Sequence, residues 1–268
     1  MPRFKLRLEY AGTRYSGWQV QKNARTVQGE LQRAIREATG HDPFELYGSG
    51  RTDAGVHALC QVAHADLETA SSPEVLRLAL NDQLPADIHV LSVERVSRKF
   101  HARHAALARS YLYQISRRRT AFAKPFVWWV KDPLDVARMR QAAALFVGMK
   151  DFRSFAAVDP EEGSTRVLLE KLEIGEEGAL ILFRVQGSHF LWKMVRRLVG
   201  VLAEVGRGAL TPRDAASFLE DRSDAPARFT APPSGLFLER VFYEGDEREL
   251  PLRAAAVVAA WPRVPDPR

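Results

Sequence analysis

Gly48-Ser49-Gly50-Arg51-Thr52-Asp53-Ala54-Gly55-Val56-His57-Ala58 lies between two apolar-alternating segments. Phe44 to Tyr47 enters it as a short strand, and Ala58 to Leu67 leaves it as a longer one. Three glycines within eight residues let the backbone take positive φ and lie close to a ligand. Asp53 is thereby held out on a turn, with Arg51 two positions before it. An Asp in such a turn often does no more than bond its own backbone. The rest of the chain has to decide between that role and chemistry.

Working outward, Phe4 to Tyr10 alternates as a strand, and Ala11-Gly12-Thr13 turns it. Val27 to Ile35 has apolar residues at helical spacing, with Thr26 as N-cap and Gly40 as stop. Ser72 caps a second helix through Leu80 with Pro73 in its first turn, and Ile88 to Val96 is a strand. This β-α-β-β-α-β order is that of a ferredoxin-like split unit. A looser copy follows. Ser110 to Ser116 is a strand, Asp135 to Phe146 a helix, and Val167 to Ile174 with Leu180 to Gln186 a hairpin over Gly175 to Gly178. Phe190 to Val205 reads as a long helix, Pro212 to Glu220 as another, and Leu236 to Tyr243 as a last strand. The expected class is α+β, with two ferredoxin-like halves around a central, mainly antiparallel sheet. The expected divisions are 1–105, 106–245 and a Pro-, Arg- and Ala-rich extension over 246–268.

The 268 residues suffice for two cores. No run approaches the ~20 apolar residues of a membrane helix, and Met1-Pro2-Arg3-Phe4-Lys5 lacks the apolar centre of a secretory signal. The single cysteine, Cys60, cannot form an internal disulfide, which fits a reducing cytoplasm. The net charge is +6, and the 39 basic residues comprise 31 Arg and 8 Lys. Nine of them fall between Arg95 and Lys124, where there is no Asp or Glu. Phe100, Tyr111, Tyr113 and Phe122 are interleaved with them. Cations without carboxylates, mixed with rings, form a surface suited to nucleic acid.

The loop matches G-x-G-R-T-D-x-G-V-H-A without a break, and so resembles the catalytic-Asp loop of tRNA pseudouridine synthases of the TruA type. Four further stretches fit in order. Tyr10-Ala11-Gly12-Thr13-Arg14-Tyr15-Ser16-Gly17-Trp18-Gln19-Val20-Gln21 resembles Y-D-G-T-x-[YF]-x-G-W-Q-x-Q, with Ala11 where the family usually has Asp. Phe100-His101-Ala102-Arg103 with Arg109-Ser110-Tyr111-Leu112-Tyr113 resembles F-x-A-R and [KR]-x-Y-x-Y. Phe190 to Arg196 resembles F-L-x-x-M-V-R, and Ala231 to Leu238 resembles A-P-x-x-G-L-x-L.

The resemblance implies a pseudouridine-synthase fold with an active-site cleft between the halves. It also implies isomerisation of uridine to pseudouridine on the 3′ side of a tRNA anticodon stem-loop by a homodimer. The product is an isomer, so no cofactor or metal is implied. Asp53 would be the nucleophile or base, as suits a carboxylate that can attack and leave again. Tyr111 would stack on the flipped uracil and could take its C5 proton, while Tyr113 packs. Arg196 would be the cation beside Asp53 that keeps it ionised. Arg51, Arg103 and Arg109 would meet RNA, and Leu236 and Leu238 would lie beneath the base. His57, His64, His101 and His104 have no Cys or carboxylate partners at ligand spacing, which argues against a metal site. The competing reading is a non-catalytic RNA-binding or RNA-folding protein on the same scaffold, which would need the basic block but no nucleophile.

Overall fold

The structure, a computed structural model, describes residues 1–42, 44–157 and 164–260. The chain forms two compact units. The first comprises Met1–Tyr111, Gln186–His189 and Leu236–Leu250. The second comprises Leu112–Val185, Phe190–Gly235 and the residues from Pro251 onward.

In the first unit the chain runs through β1 (Arg3–Tyr10), α1 (Val27–Thr39), β2 (Leu46–Gly48), β3 (His57–Asp66), α2 (Pro73–Gln83) and β4 (Ile88–Val96). β1 is the inner strand, antiparallel to β3 and β4, with Phe4 opposite Ala65 and Arg95. Its alternate residues Phe4, Leu6 and Leu8 are fully buried, as the period-2 pattern demands. The helices form where their caps satisfy backbone N–H groups that no helical carbonyl can reach. The Thr26 hydroxyl accepts from Gly29 N at 3.3 Å, and Gly40 closes α1 with φ of 66°. Ser72 accepts from Val75 N at 3.3 Å, with Pro73 opening α2. α1 buries Val27, Leu31, Ala34 and Ile35 as one stripe.

β5 (Ala108–Ser116) leaves the first unit and enters the second. There follow β6 (Trp128–Trp129), α3 (Val136–Phe146), β7 (Gly148–Asp151), β8 (Arg166–Glu177), β9 (Leu180–Gly187), α4 (Met194–Arg207), α5 (Pro212–Glu220) and α6 (Ala225–Arg228). Finally β10 (Leu236–Phe242) returns to the first unit. Strands of the second unit lie in the order β5-β9-β8-β7, with β6 parallel to β5. Asp135 caps α3, and Thr211 and Asp214 cap α5 reciprocally. In the first unit the order is β4-β1-β3-β10, and β2 borders the far end of β3. Pairing is mainly antiparallel, and the fold is mixed α+β.

Three expectations differ from what is found. α4 begins at Met194 rather than Phe190, because Lys193 sits in left-handed backbone with φ of 62° and ends a turn there. β8 continues through Gly175 to Glu177, and the reversal is a two-residue turn at Gly178–Ala179. Gly175 is a packing glycine inside the strand, since a Cβ there would stand 2.8 Å from the Leu252 side chain. β6, β7 and α6 were not expected: each is at most four residues long and too short to show a period.

Among its described residues, 246–260, the C-terminal extension forms no helix or strand. From Pro251 it runs back over the second unit. Ala254 N donates to Glu177 at 3.0 Å, Ala255 N to the Gln114 side chain at 2.6 Å, and Ala179 N to the Val258 carbonyl at 2.9 Å. Residues 261–268 of this expected extension lie outside the described residues.

Candidate active site

The loop from Ser49 to His57 is gripped by the segment that follows β1. Trp18 N donates to the Thr52 carbonyl at 3.0 Å, Gly55 N to the Tyr15 carbonyl at 3.3 Å, and Gly12 N to His57 Nδ1 at 3.0 Å. Gly17 is a point of close approach. Its φ is 95°, and a Cβ there would stand 2.6 Å from the Thr52 carbonyl oxygen. The Y-A-G-T-R-Y-S-G-W-Q stretch is therefore the clasp of the Asp53 loop. From below, the buried Tyr10 hydroxyl bonds the Thr52 hydroxyl at 2.8 Å. Within the loop, Val56 N donates to the Asp53 carbonyl at 3.1 Å. The Asp53 side chain is half-buried at the tip.

Two buried polar side chains that the sequence reading passed over complete the support. Gln61, fully buried in β3, accepts from the Ser49 hydroxyl at 2.7 Å and donates to the Gly50 carbonyl at 3.0 Å. Thr52 links loop to floor through Tyr10. A glutamine in an otherwise apolar stretch of β3 was the available signal, since a buried amide must find partners.

Tyr111 ends the first unit, partly buried against its core. Burial pushes its phenol up to about 12, against a nearby lowering by Arg109, and the negative charge of Asp53 raises it further. Asp53 and Tyr111 are thus electrostatically coupled within one unit, and the phenol is neutral at physiological pH. Arg109 is spent internally. Its guanidinium donates to the carbonyls of Ser49 (2.9 Å), Arg103 (2.9 Å) and Ser188 (3.1 Å), and burial holds its pKa below the usual arginine range. Arg51 and Arg103 are exposed, and among the described residues neither guanidinium has a hydrogen bond or ion pair.

Leu236 and Leu238 are buried on β10, and Leu238 belongs to the core of the first unit. β10 pairs in parallel with the start of β3, placing Leu238 opposite Ala58 and stacking Phe237 on His57 at 4.8 Å. The strand that carries these leucines is therefore fixed to the strand that leaves the Asp53 loop. Arg196 lies in the second unit, on the first turn of α4, where its Nε donates to the Ala231 carbonyl at 2.7 Å. Tyr113 is fully buried in that unit, and its hydroxyl donates to the Pro232 carbonyl at 2.8 Å. The histidines serve as acceptors. His57 takes Gly12 N, His64 takes Ala102 N, and His101 takes the amides of Arg103 and His104, each on Nδ1. Among the described residues no three His, Cys, Asp or Glu side chains gather to hold a metal.

A family model described as tRNA pseudouridine synthase matches residues 8–104 and 142–244, which take in the Asp53 loop, the FHAR stretch, α4 and β10. The chain belongs to the tRNA pseudouridine synthase family. Proteins named tRNA pseudouridine synthase A are similar to it along nearly their whole length. That of Agrobacterium fabrum is 41% identical over 248 residues, 91% of this chain and 93% of its own. That of Exiguobacterium sibiricum is 40% identical, covering 91% and 97%. That of Aquifex aeolicus is 40% identical, covering 90% and 99%. No helix of this synthase among the described residues is long and apolar enough to cross a membrane.

Proposed function

We propose that this synthase isomerises uridines on the 3′ side of the tRNA anticodon stem-loop, with Asp53 as the reacting carboxylate. Uridine must break its N1–C1′ bond, turn, rejoin through C5 and lose the C5 proton. The atoms of the product equal those of the substrate, so no co-reactant enters. Asp53 acts at C1′, at C6, or as the base of a glycal route. Covalent attack splits one hard step into two easier ones. The observation that carries this reading is the Asp53 loop, clasped at Gly17 and Trp18 and lying within the residues that the tRNA pseudouridine synthase family model matches.

The other roles follow from what each side chain is free to do. Tyr111 offers its ring to an extruded uracil and its oxygen to the C5 proton. Its neutral phenol must pass its own proton on as it takes another. Arg196 supplies the cation for Asp53. Arg51 and Arg103, exposed and with guanidinium groups unpartnered among the described residues, are the groups suited to phosphates. Arg109 holds Ser49 and Arg103 in place and meets RNA only through them. Leu236 forms the apolar floor for the base, supported by Leu238. The protein works in the cytoplasm as a homodimer. In support of a self-association surface, Met149 and Leu168 stand opposite each other in the β7–β8 pairing, both exposed, with Leu145 and Val147 exposed beside them.

Tritium release from tRNA labelled at uridine C5 tests the chemistry. Asp53→Ala is expected to abolish release while tRNA binding stays within a few-fold of wild type. Release that continues in Asp53→Ala would remove Asp53 from the reaction.

A further inference from the structure

One face of the sheet in the first unit carries a row of rings that none of these roles uses. Tyr47 on β2 stands opposite His64 on β3. Their rings stack, with centroids 5.3 Å apart and planes 17° from parallel. The segment after β4 brings two more imidazoles alongside. His101 lies 4.6 Å from His64 and 5.3 Å from Tyr47, and His104 lies 4.2 Å from His101. The inner part of the row is fixed. His64 is buried and accepts Ala102 N, while His101 Nδ1 accepts the amides of Arg103 and His104. The outer part is open: Tyr47 is 42% exposed, and His104 is exposed as well.

Packing accounts for His64, which is covered, but not for rings held rigid at the surface. Rings already fixed in place need little further ordering when a flat partner arrives. The charges nearby select that partner. Arg98, Lys99 and Arg103 are exposed on the same segment, and Arg103 is close enough to His101 to disfavour a positive charge on that ring. Asp66 is bonded by Arg3, and Glu45 accepts from the Tyr47 hydroxyl at 2.6 Å, which fixes that ring by its edge. Open π faces beside cations suit single-stranded nucleic acid, with bases on the rings and phosphates on the cations. The row is also tied to the reacting loop. Only Gly48 separates Tyr47 from Ser49, and the Arg103 and Ser49 carbonyls share Arg109 Nη2. We propose that Tyr47, His101 and His104 form a stacking platform for an unpaired base of the RNA substrate other than the reacting uridine. Arg103 holds the phosphate of that nucleotide. This rests on the RNA-modifying function proposed above.

The full-length protein, labelled in its tyrosine and histidine rings, is titrated by NMR with a short oligoadenylate. An abasic ribose-phosphate chain of the same length serves as the second probe. The Tyr47 and His104 ring signals are expected to move upfield saturably with the oligoadenylate and to stay in place with the abasic chain. Binding of a tRNA transcript is then followed against KCl concentration. Tyr47→Leu and His104→Ala are each expected to weaken it about tenfold, the scale of one lost base stack, and His104→Phe to retain it. Tyr47→Leu removes no cation and should leave the log–log salt slope unchanged, whereas Arg103→Gln should reduce it by about one. Tyr47 packs on His64, so its replacement could loosen the fold; the exposed His104 supplies the variant that does not. Equal ring shifts with the abasic chain, or none with either probe, overturn the platform. Ring shifts with unaltered tRNA affinity in both ring variants overturn its assignment to the substrate. Wild-type tritium release decides the isomerase reading separately: stacking without release keeps the platform and removes the chemistry.

Discussion

Arg109 Nη2 lies 2.9 Å from the carbonyl oxygen of Ser49, the first residue of the loop that bears Asp53. The same nitrogen reaches the Arg103 carbonyl, and Nη1 reaches that of Ser188. One planar fork therefore sets three backbone positions, which a single ammonium cannot reproduce. Arg109→Lys keeps the charge and loses the geometry. It is expected to lower kcat by about ten- to a hundredfold, the scale on which small misplacements act, while the tRNA Kd changes less than threefold. Single-turnover kinetics beside filter binding separates the two, and a large rise in Kd with unchanged kcat would return Arg109 to direct RNA contact.

Gly17→Ala places a methyl group 2.6 Å from the Thr52 carbonyl at a φ of 95°. The expected cost is about 2–4 kcal/mol from strain and overpacking together, with a loss of activity from displacing the loop. Gly40→Ala is the matched control. Its φ is also positive, at 66°, but nothing lies within 4 Å of the added atom. It should cost about 1 kcal/mol and leave turnover untouched. Equal effects in urea denaturation and in activity would mean that Gly17 matters only for its dihedral angle.

His64 is buried and accepts Ala102 N on Nδ1, and burial draws its pKa down to about 4 from 6.5. The unfolded chain takes up this proton first as pH falls. The stabilisation is therefore complete above pH 6.5 and is lost between pH 6.5 and about 4, by up to ~3 kcal/mol. His64→Gln should flatten that part of the stability curve. The carboxylates held low by arginine partners, such as Asp66 beside Arg3, add losses at lower pH that this variant leaves in place.

The negative charge of Asp53 is one cause of the raised Tyr111 ionisation. Asp53→Asn should therefore lower the Tyr111 pKa from about 12 toward the ordinary tyrosine value, as read by NMR of ring-labelled tyrosine. In the wild type the unfolded phenol ionises first, so this contribution to stability is lost as pH rises from about 10 to 12. A Tyr111 titration indifferent to Asp53→Asn would mean that the two groups do not sense each other.

Much of this fold was legible where local chemistry settles local structure. Thr26 and Gly40, and Ser72 and Pro73, mark two helices in the sequence and do so in the structure, and a third opens at Pro212 as expected. What was not legible depends on distant partners. β7 reads as a polar Gly-Met-Lys-Asp run and is a strand only because β8 pairs with it. Gly175 looks like a turn residue until Leu252 is seen above it. At the candidate site, the motif pointed to Asp53, Tyr111 and Arg109, but not to the three internal bonds that Arg109 makes. Its three acceptors are backbone carbonyls, which leave no trace in side-chain identity.

Leu252 above Gly175, and the Val258 carbonyl bonded to Ala179 N, also set the order of events at synthesis. The β8–β9 hairpin of the second unit obtains this cover only once residues 252–258 have left the ribosome. The first unit waits as well, because β10 must return to pair with β3 from more than 170 positions away. Neither unit can finish folding on a partial chain. Pairings this distant in sequence close slowly, so a nascent chain halted before residue 236 would carry the whole Asp53 loop and its clasp yet lack the strand that fixes it.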